Sequence, residues 1–264
     1  MNQDLQPGTV EPQLKTLCRV GGIAALVAAL LFRRNLFAEY LLFRGIGIFH
    51  DGPTVLPGTA ADWFSVLHQY PFHGLVLLNL FDIVNYALVG LITLGLYAAL
   101  RRVNRSLMIL AVVLGLVAVG DYFASNQAFA MLSLSNQFAA ATTEAQRSML
   151  LAAGQALLAI HNSAATYGNG LYISFLLVDL SGLIAATVML GSKVFSRVTA
   201  WTGILANIFE LGYYIMLIFA PTQIAIPFYA ASPLLMIWYI LVGWTLLRLQ
   251  PAEQATCPSM QTSA

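Results

Sequence analysis

The stretch from Phe72 to Leu100, FHGLVLLNLFDIVNYALVGLITLGLYAAL, decides the fold. It carries one carboxylate, Asp82, one histidine, His73, and no lysine or arginine; charge resumes at Arg101-Arg102. A helix needs ~20 mostly apolar residues to cross a hydrocarbon core ~30 Å thick, at ~1.5 Å of rise per residue. This stretch is long enough with residues to spare. Five more of the same kind flank it. They are Leu17–Phe32 (with a continuation through Leu36–Phe43), Ser106–Leu132, Leu171–Leu190, Val198–Phe219 and Ile224–Leu249. Helices are expected, because an open sheet edge would leave backbone N–H and C=O groups unsatisfied in lipid. No ten-residue alternation argues for a barrel. The expected fold is all-α: a polytopic membrane bundle of six transmembrane helices plus an external amphipathic helix.

Composition agrees. Of 264 residues, 59% are hydrophobic and 9% charged, against about 25% charged in an ordinary soluble domain. Mean hydropathy is +0.78. These values exclude a soluble globular domain, a disordered chain and a disulfide scaffold. The formal charge of +1 offers nothing to nucleic acid. Membrane lipid is the expected partner, with a small-molecule or ion ligand in addition. Cys18 and Cys257 stand near opposite ends of the sequence, outside any CxxC pattern, so neither a disulfide nor a thiolate metal site is expected.

Residues 1–13 are polar, with Pro7-Gly8 and Pro12, and read as a disordered lead-in. Residues 14–250 read as a single transmembrane domain, and 251–264 as a disordered tail. Lys15 and Arg19 precede the first apolar run as in a signal peptide. Arg33-Arg34 follow without a small-x-small cleavage site, so an uncleaved helix is expected.

Loop charge sets the orientation. Lys15, Arg19, Arg101, Arg102, Arg105, Lys193, Arg197 and Arg248 fall on one side of a six-span chain. Arg33, Arg34, Arg44 and Arg147 fall on the other. Eight against four places both termini in the cytoplasm of a prokaryotic cell, with the protein in the cytoplasmic membrane. Residues 44–71 and 133–169 are then external. The first begins with turn chemistry (Asp51-Gly52-Pro53, Pro57-Gly58) and continues as a short helix from Asp62 to His68. In the second, Met149, Leu150, Ala153, Leu157 and Ile160 recur at helical spacing. Residues 144–160 are therefore expected as an amphipathic helix on the outer face.

The stretch Leu96-Tyr97-Ala98-Ala99-Leu100-Arg101-Arg102-Val103-Asn104-Arg105-Ser106-Leu107 resembles a helix end and basic turn of the DUF4386 family. His161, Tyr167-Gly168 and Ser192–Gly203 resemble that family's second conserved half. Its members are small prokaryotic integral membrane proteins of unknown function. The likeness covers most of residues 20–220. It departs in the third span, which lacks a basic residue near Gly115, and at Phe195-Ser196-Arg197, where a Pro-Arg turn is expected. The resemblance implies the six-helix fold and no activity.

Acids inside spans carry the chemistry. Asp82, Asp121, Asp179 and Glu210 stand one each in spans two to five. A charge at the bilayer centre costs at least ~2.5 kcal/mol, so these residues are expected to face the bundle interior. At 100° per residue Asn79, Asp82, Asn85, Tyr86 and Thr93 share a face. So do Gly203, Asn207, Glu210, Tyr213 and Tyr214, and likewise Tyr172, Asp179, Gly182 and Ala186. The candidate ligand or ion site is Asp82, Asn85, Asp121, Asp179, Asn207 and Glu210. A structural reading stands beside it, in which the acids only hydrogen-bond neighbouring Tyr and Asn or pair with Arg33 or Arg34. Asn79-x-x-Asp82-x-x-x-Tyr86 also echoes Asn207-x-x-Glu210-x-x-x-Tyr214, the form an inverted repeat takes in transporters.

A second reading is a metal-dependent intramembrane hydrolase using His73, His161 and Asp121. No HExxH or HxxxH pattern supports it, and no metal or cofactor is expected. A third is a non-catalytic scaffold or sensor. No phosphate-binding glycine loop or GxSxG occurs, so the sequence does not lean toward an enzyme. Trp63, Trp201, Trp238 and Trp244 suit interfacial belts or packing, and Pro233 is expected to kink the sixth span.

Overall fold

The computed structural model describes residues 9–10, 12–31, 56–161 and 169–251. The continuation of the first span through Leu36–Phe43, Arg33, Arg34, Arg44, the 51–53 turn, Tyr167-Gly168, Cys257 and most of the two terminal segments lie outside the described residues.

The chain is all-α. Its long helices are α1 (Lys15–Leu31), α4 (Leu80–Leu100), α5 (Arg105–Ser125), α8 (Asn169–Met189), α9 (Arg197–Phe219) and α10 (Ala225–Arg248). Shorter ones are α2 (Ala60–Gln69), α3 (Pro71–Leu77), α6 (Ala128–Ala140) and α7 (Glu144–His161). Among the described residues five helical stretches are long and apolar enough to cross a membrane: α4, α5 running on into α6, α8, α9 and α10. α1 has 17 described residues, ~25 Å of rise.

The long helices follow one another round a ring, α1–α4–α5–α8–α9–α10, and α10 packs back on α1. α4 also reaches across to α8 and α10 and is the most enclosed, with 56% of its apolar window buried against 28–39% for the other four. Small residues allow the tightest seams. A Cβ on Gly21 would stand 2.8 Å from the Gly95 Cα, and one on Gly22 3.1 Å from the Gly243 carbonyl oxygen. α1 therefore meets α4 and α10 backbone to backbone.

The bundle is apolar outside and polar within. Ile109, Leu110, Val113, Leu116 and Val117 on α5, and Ile208 and Ile215 on α9, are exposed. Asn85, Thr93, Ser174, Asp179, Ser181, Asn207 and Glu210 are buried. Water would disfavour that arrangement, and lipid favours it. The protein is a helical integral membrane protein.

Helix ends follow from local chemistry. The basic turns are cap turns: Asn104 accepts from the Leu107 N–H at 3.0 Å, and Ser196 from the Thr199 N–H at 3.0 Å. At the other end of the ring the expected second span is interrupted. α3 closes at Leu77, Asn79 adopts φ 70°, ψ 33°, and α4 starts at Leu80. Asn is among the few residues that enter this left-handed region at low cost. The expected third span likewise ends at Ser125, before Asn126 turns to extended backbone. Its 21 residues already rise ~31 Å, one hydrocarbon thickness.

α2, α3, α6 and α7 form a separate cap with its own core of Trp63, Phe64, Leu67, Met131, Leu150 and Leu158. α7 is the helix expected at 144–160, and it packs on α6 and α2 rather than joining the ring. The Ser135 hydroxyl donates to the Phe64 carbonyl at 2.8 Å, and the Ala60 N–H to Gln155 at 3.3 Å. Thr59 and Asp62 make a reciprocal capping box at the start of α2. The Thr59 hydroxyl and backbone N–H both donate to Asp62, holding its carboxyl below the ordinary value.

Short regular elements stand at both ends of the bundle. β1 (Thr9–Val10) pairs in parallel with β2 (Gln250–Pro251), and Pro12–Leu14 form a 3-10 turn. The two ends of the domain thus meet on the side that also carries the α4–α5 and α8–α9 turns.

Candidate functional site

One cavity of about 230 Å³ lies inside the ring, walled by α4, α8, α9 and α10. The helical stripe Asn79, Asp82, Asn85, Tyr86, Val89, Thr93 and Leu96 supplies one wall. Phe175, Asp179, Ser181 and Gly182 face it from α8; Asn207, Glu210, Tyr213 and Tyr214 from α9; Leu235, Trp238 and Tyr239 from α10. Five of the six candidate residues line this one space: Asp82, Asn85, Asp179, Asn207 and Glu210.

Asp121 does not line it. One residue on, Tyr122 turns inward and stacks on Tyr86 with ring centroids 3.8 Å apart. Asp121 is swung to the α5–α8 seam instead, where a Cβ on Gly170 would touch its carboxylate. Asp82 stands closer to a helix end than an uninterrupted second span would place it. The break at Asn79 leaves it in the first turn of α4. By ~1.5 Å per residue, Asp82 lies ~3 Å into its helix, whereas Glu210 and Asp179 lie ~14–15 Å from the same end of theirs.

Polar contacts tie the walls together. Tyr122 hydrogen-bonds the Asp82 carboxyl. Tyr86 stands within electrostatic reach of Asp82 and Asp179, and Tyr239 of Asp179 and Glu210. Ser174 and Ser181 donate to the α5 carbonyls of Ala118 and Ala111 at 2.8 and 2.7 Å, and thereby fix the rotation of α8. Asn207 donates to the Gly203 carbonyl at 2.7 Å, and its amide fills the space where Gly182 lacks a side chain. The indole of Trp238 covers Gly203 in the same way. The Oδ1 of Asn85 is buried without a hydrogen-bond partner among the described residues.

Aromatic rings complete the lining. Phe175 stacks on Tyr214 at 4.6 Å, Tyr213 meets Tyr214 edge-on at 5.0 Å, and Trp238 lies 5.6 Å from Tyr239. The contribution of α10 is absent from the sequence expectation. Its signal was present in the helical spacing of Leu235, Trp238, Tyr239 and Val242 beside Pro233, but a tryptophan in an apolar span reads equally as packing. Trp63 and Trp238 are in fact buried, whereas Trp201 and Trp244 are exposed, with Arg248 4.1 Å above the Trp244 ring.

His73 sits on α3 beside Tyr70 and Phe72, with ring centroids 5.6 and 6.5 Å away, and the side chain of His161 lies outside the described residues. Among the described residues no three His, Cys, Asp or Glu side chains are grouped to hold a metal ion. No protein-family model matches the chain, and no curated protein or solved structure is significantly similar to it.

Proposed function

We propose that this protein is a six-span cytoplasmic-membrane protein of a prokaryote that binds a small molecule or ion in the cavity between α4, α8, α9 and α10. In this reading α1 is the sixth span, both termini are cytoplasmic, and the cap of α2, α3, α6 and α7 is external. The DUF4386 likeness is kept as part of the proposal, on the residues quoted for it.

One observation carries the reading. Three acids, Asp82, Asp179 and Glu210, and three amides, Asn79, Asn85 and Asn207, carried by α4, the turn that opens it, α8 and α9, converge on one cavity. Packing alone does not require this, since burying polar groups in a bundle costs free energy unless each is satisfied. The cavity spans the level of Asp82, nearest the cap, and the deeper level of Asp179 and Glu210. A ligand entering beneath the cap meets Asp82 first.

The test is thermal unfolding of the purified full-length chain against a panel of inorganic cations, amines, carboxylates, sugars and lipids. The expected result is a saturable rise in Tm for at least one compound, lost in Glu210→Gln and Asp179→Asn. A panel without any such rise, together with variants that unfold like the parent at every pH from 5 to 9, would leave the acids as structural hydrogen-bonders.

A further inference from the structure

We infer that the cavity takes a small polyhydroxylated molecule, a polyol or a simple sugar. The inference rests on the reading of the cavity as a ligand site and names the ligand's class.

Two groups of opposite sense on the wall lack partners. The Asn85 Oδ1, an acceptor, and the Trp238 Nε1–H, a donor, are buried with no hydrogen-bond partner among the described residues. Both residues line the cavity, and they are 8% and 3% exposed. Buried polar groups are nearly always hydrogen-bonded, so an orphan of each kind in the wall of one space points to a molecule that supplies both partners. Hydroxyls do so, since the O–H donates to Asn85 and the oxygen accepts from Trp238. One hydroxyl does not reach both. Gly21 and Gly22, neighbours on α1, abut Gly95 and Gly243, which therefore share a level. At ~1.5 Å per residue, Asn85 lies ~15 Å from that level toward the cap and Trp238 ~8 Å, which leaves ~7 Å of depth between them. That separation calls for hydroxyls on different carbons.

The rest of the wall favours a ligand rich in O–H donors. Asp82, Asp179 and Glu210 add carboxyl oxygens to the same lining. A carboxylate offers about four acceptor sites, so it takes a ligand hydroxyl in addition to whatever else it bonds. A simple alcohol or a primary amide brings a single donating atom, whereas a polyol brings one on every carbon. The rings of Tyr86, Phe175, Tyr214 and Tyr239 also line the space and suit the C–H side of such a molecule. Small-molecule pockets are built this way, with aromatic walls around the ligand's body and a few polar groups fixing its orientation. The volume of about 230 Å³ equals roughly seven waters at ~30 Å³ each, room for a polyol of about five carbons and too little for a lipid.

The experiment titrates the purified full-length protein with D- and L-arabitol and with D- and L-glucose, by calorimetry, with tryptophan emission as a second readout. Pentane-1,5-diol, which lacks the inner hydroxyls of arabitol, is the control. Polyols also stabilise proteins by exclusion from the surface, but two enantiomers do so equally. One member of at least one enantiomeric pair is expected to bind saturably, about fivefold or more tightly than its mirror image. The diol is expected to bind at least about tenfold more weakly, because a site built for hydroxyls rejects the analogue without them. Asn85→Leu and Trp238→Phe are each expected to weaken the preferred compound by about tenfold. Should either variant fail to fold, the other reports on the same ligand, and the enantiomer ratio of the parent protein requires neither. Enantiomers that act alike, a diol that binds as well, or binding indifferent to both substitutions overturns the polyol assignment. If an inorganic cation, an amine or a carboxylate of the first panel binds while none of these compounds does, the assignment falls and the ligand site stands. If no compound of either test binds, the ligand-site reading falls with it.

Discussion

Asn79 adopts the one positive φ found outside glycine among the described residues. It ends α3, starts α4 and lines the cavity, so its backbone decides where Asp82 begins. A β-branched side chain in this region costs ~1–2 kcal/mol, whereas glycine enters it freely. Asn79→Val is therefore expected to destabilise by about that amount in chemical unfolding, and Asn79→Gly to stay near the parent. A valine variant as stable as the glycine one would mean that the break is absent. The same residue disposes of the internal echo. Asn79 stands outside its helix in left-handed backbone, while Asn207 lies within α9 and donates to Gly203. Equal letters at equal spacing here serve unequal backbones. Asp62 gives a pH prediction. Its carboxyl is held below the ordinary value by the Thr59 hydroxyl, then by the Thr59 N–H. The capping box therefore contributes its full stabilisation above the ordinary aspartate value, ~3.9, and loses it as the pH falls through the lower folded value. Amide exchange in α2 should rise on acidification below that point, and Asp62→Asn should remove the dependence.

Helix seams turn on which glycines have backbone in front of them. A Cβ on Gly21 meets the Gly95 Cα at 2.8 Å and the Leu91 carbonyl at 3.0 Å, and backbone cannot move aside as a side chain can. Gly21→Ala should push α1 off α4 and cost ~1–3 kcal/mol, as overpacking does. Gly212, in α9, has nothing within 4 Å of the same construction. Gly212→Ala should be neutral or stabilising by up to ~1 kcal/mol. Melting temperatures of the two variants decide it, and the reverse order would refute the seam. The elements themselves were largely readable from the sequence, because apolar run length marks a membrane helix directly. Their interruptions were not. Nothing in the run from Phe72 to Leu100 marks Asn79 as left-handed except its being asparagine, and Asn126 offered no stronger sign.

For the molecule as a whole, orientation is the property most open to test. Lys15, Arg19, Arg101, Arg102, Arg105, Lys193, Arg197 and Arg248 belong to helix ends and turns on the side where β1 meets β2. The proposed orientation, by the positive-inside rule, puts this side in the cytoplasm. Cysteine labelling from outside intact cells should reach position 58, where Gly58 is exposed, and should leave position 102 unmodified until the membrane is opened. Labelling of both from one side would break the topology. The sequence alone settled that this is a helical membrane protein, which long uncharged runs compel because lipid cannot satisfy backbone polar groups. It also marked the intramembrane acids, since the free-energy cost of a charge in lipid turns each one inward. Their meeting place depended on three-dimensional packing. Helical periodicity gives each residue an angle on its own helix but says nothing of which helix stands opposite. Closure of α10 onto α1, the notch of Gly182 for Asn207, and the hydroxyls that rotate α8 against α5 brought Asp179, Glu210 and Trp238 to one cavity and left Asp121 outside it.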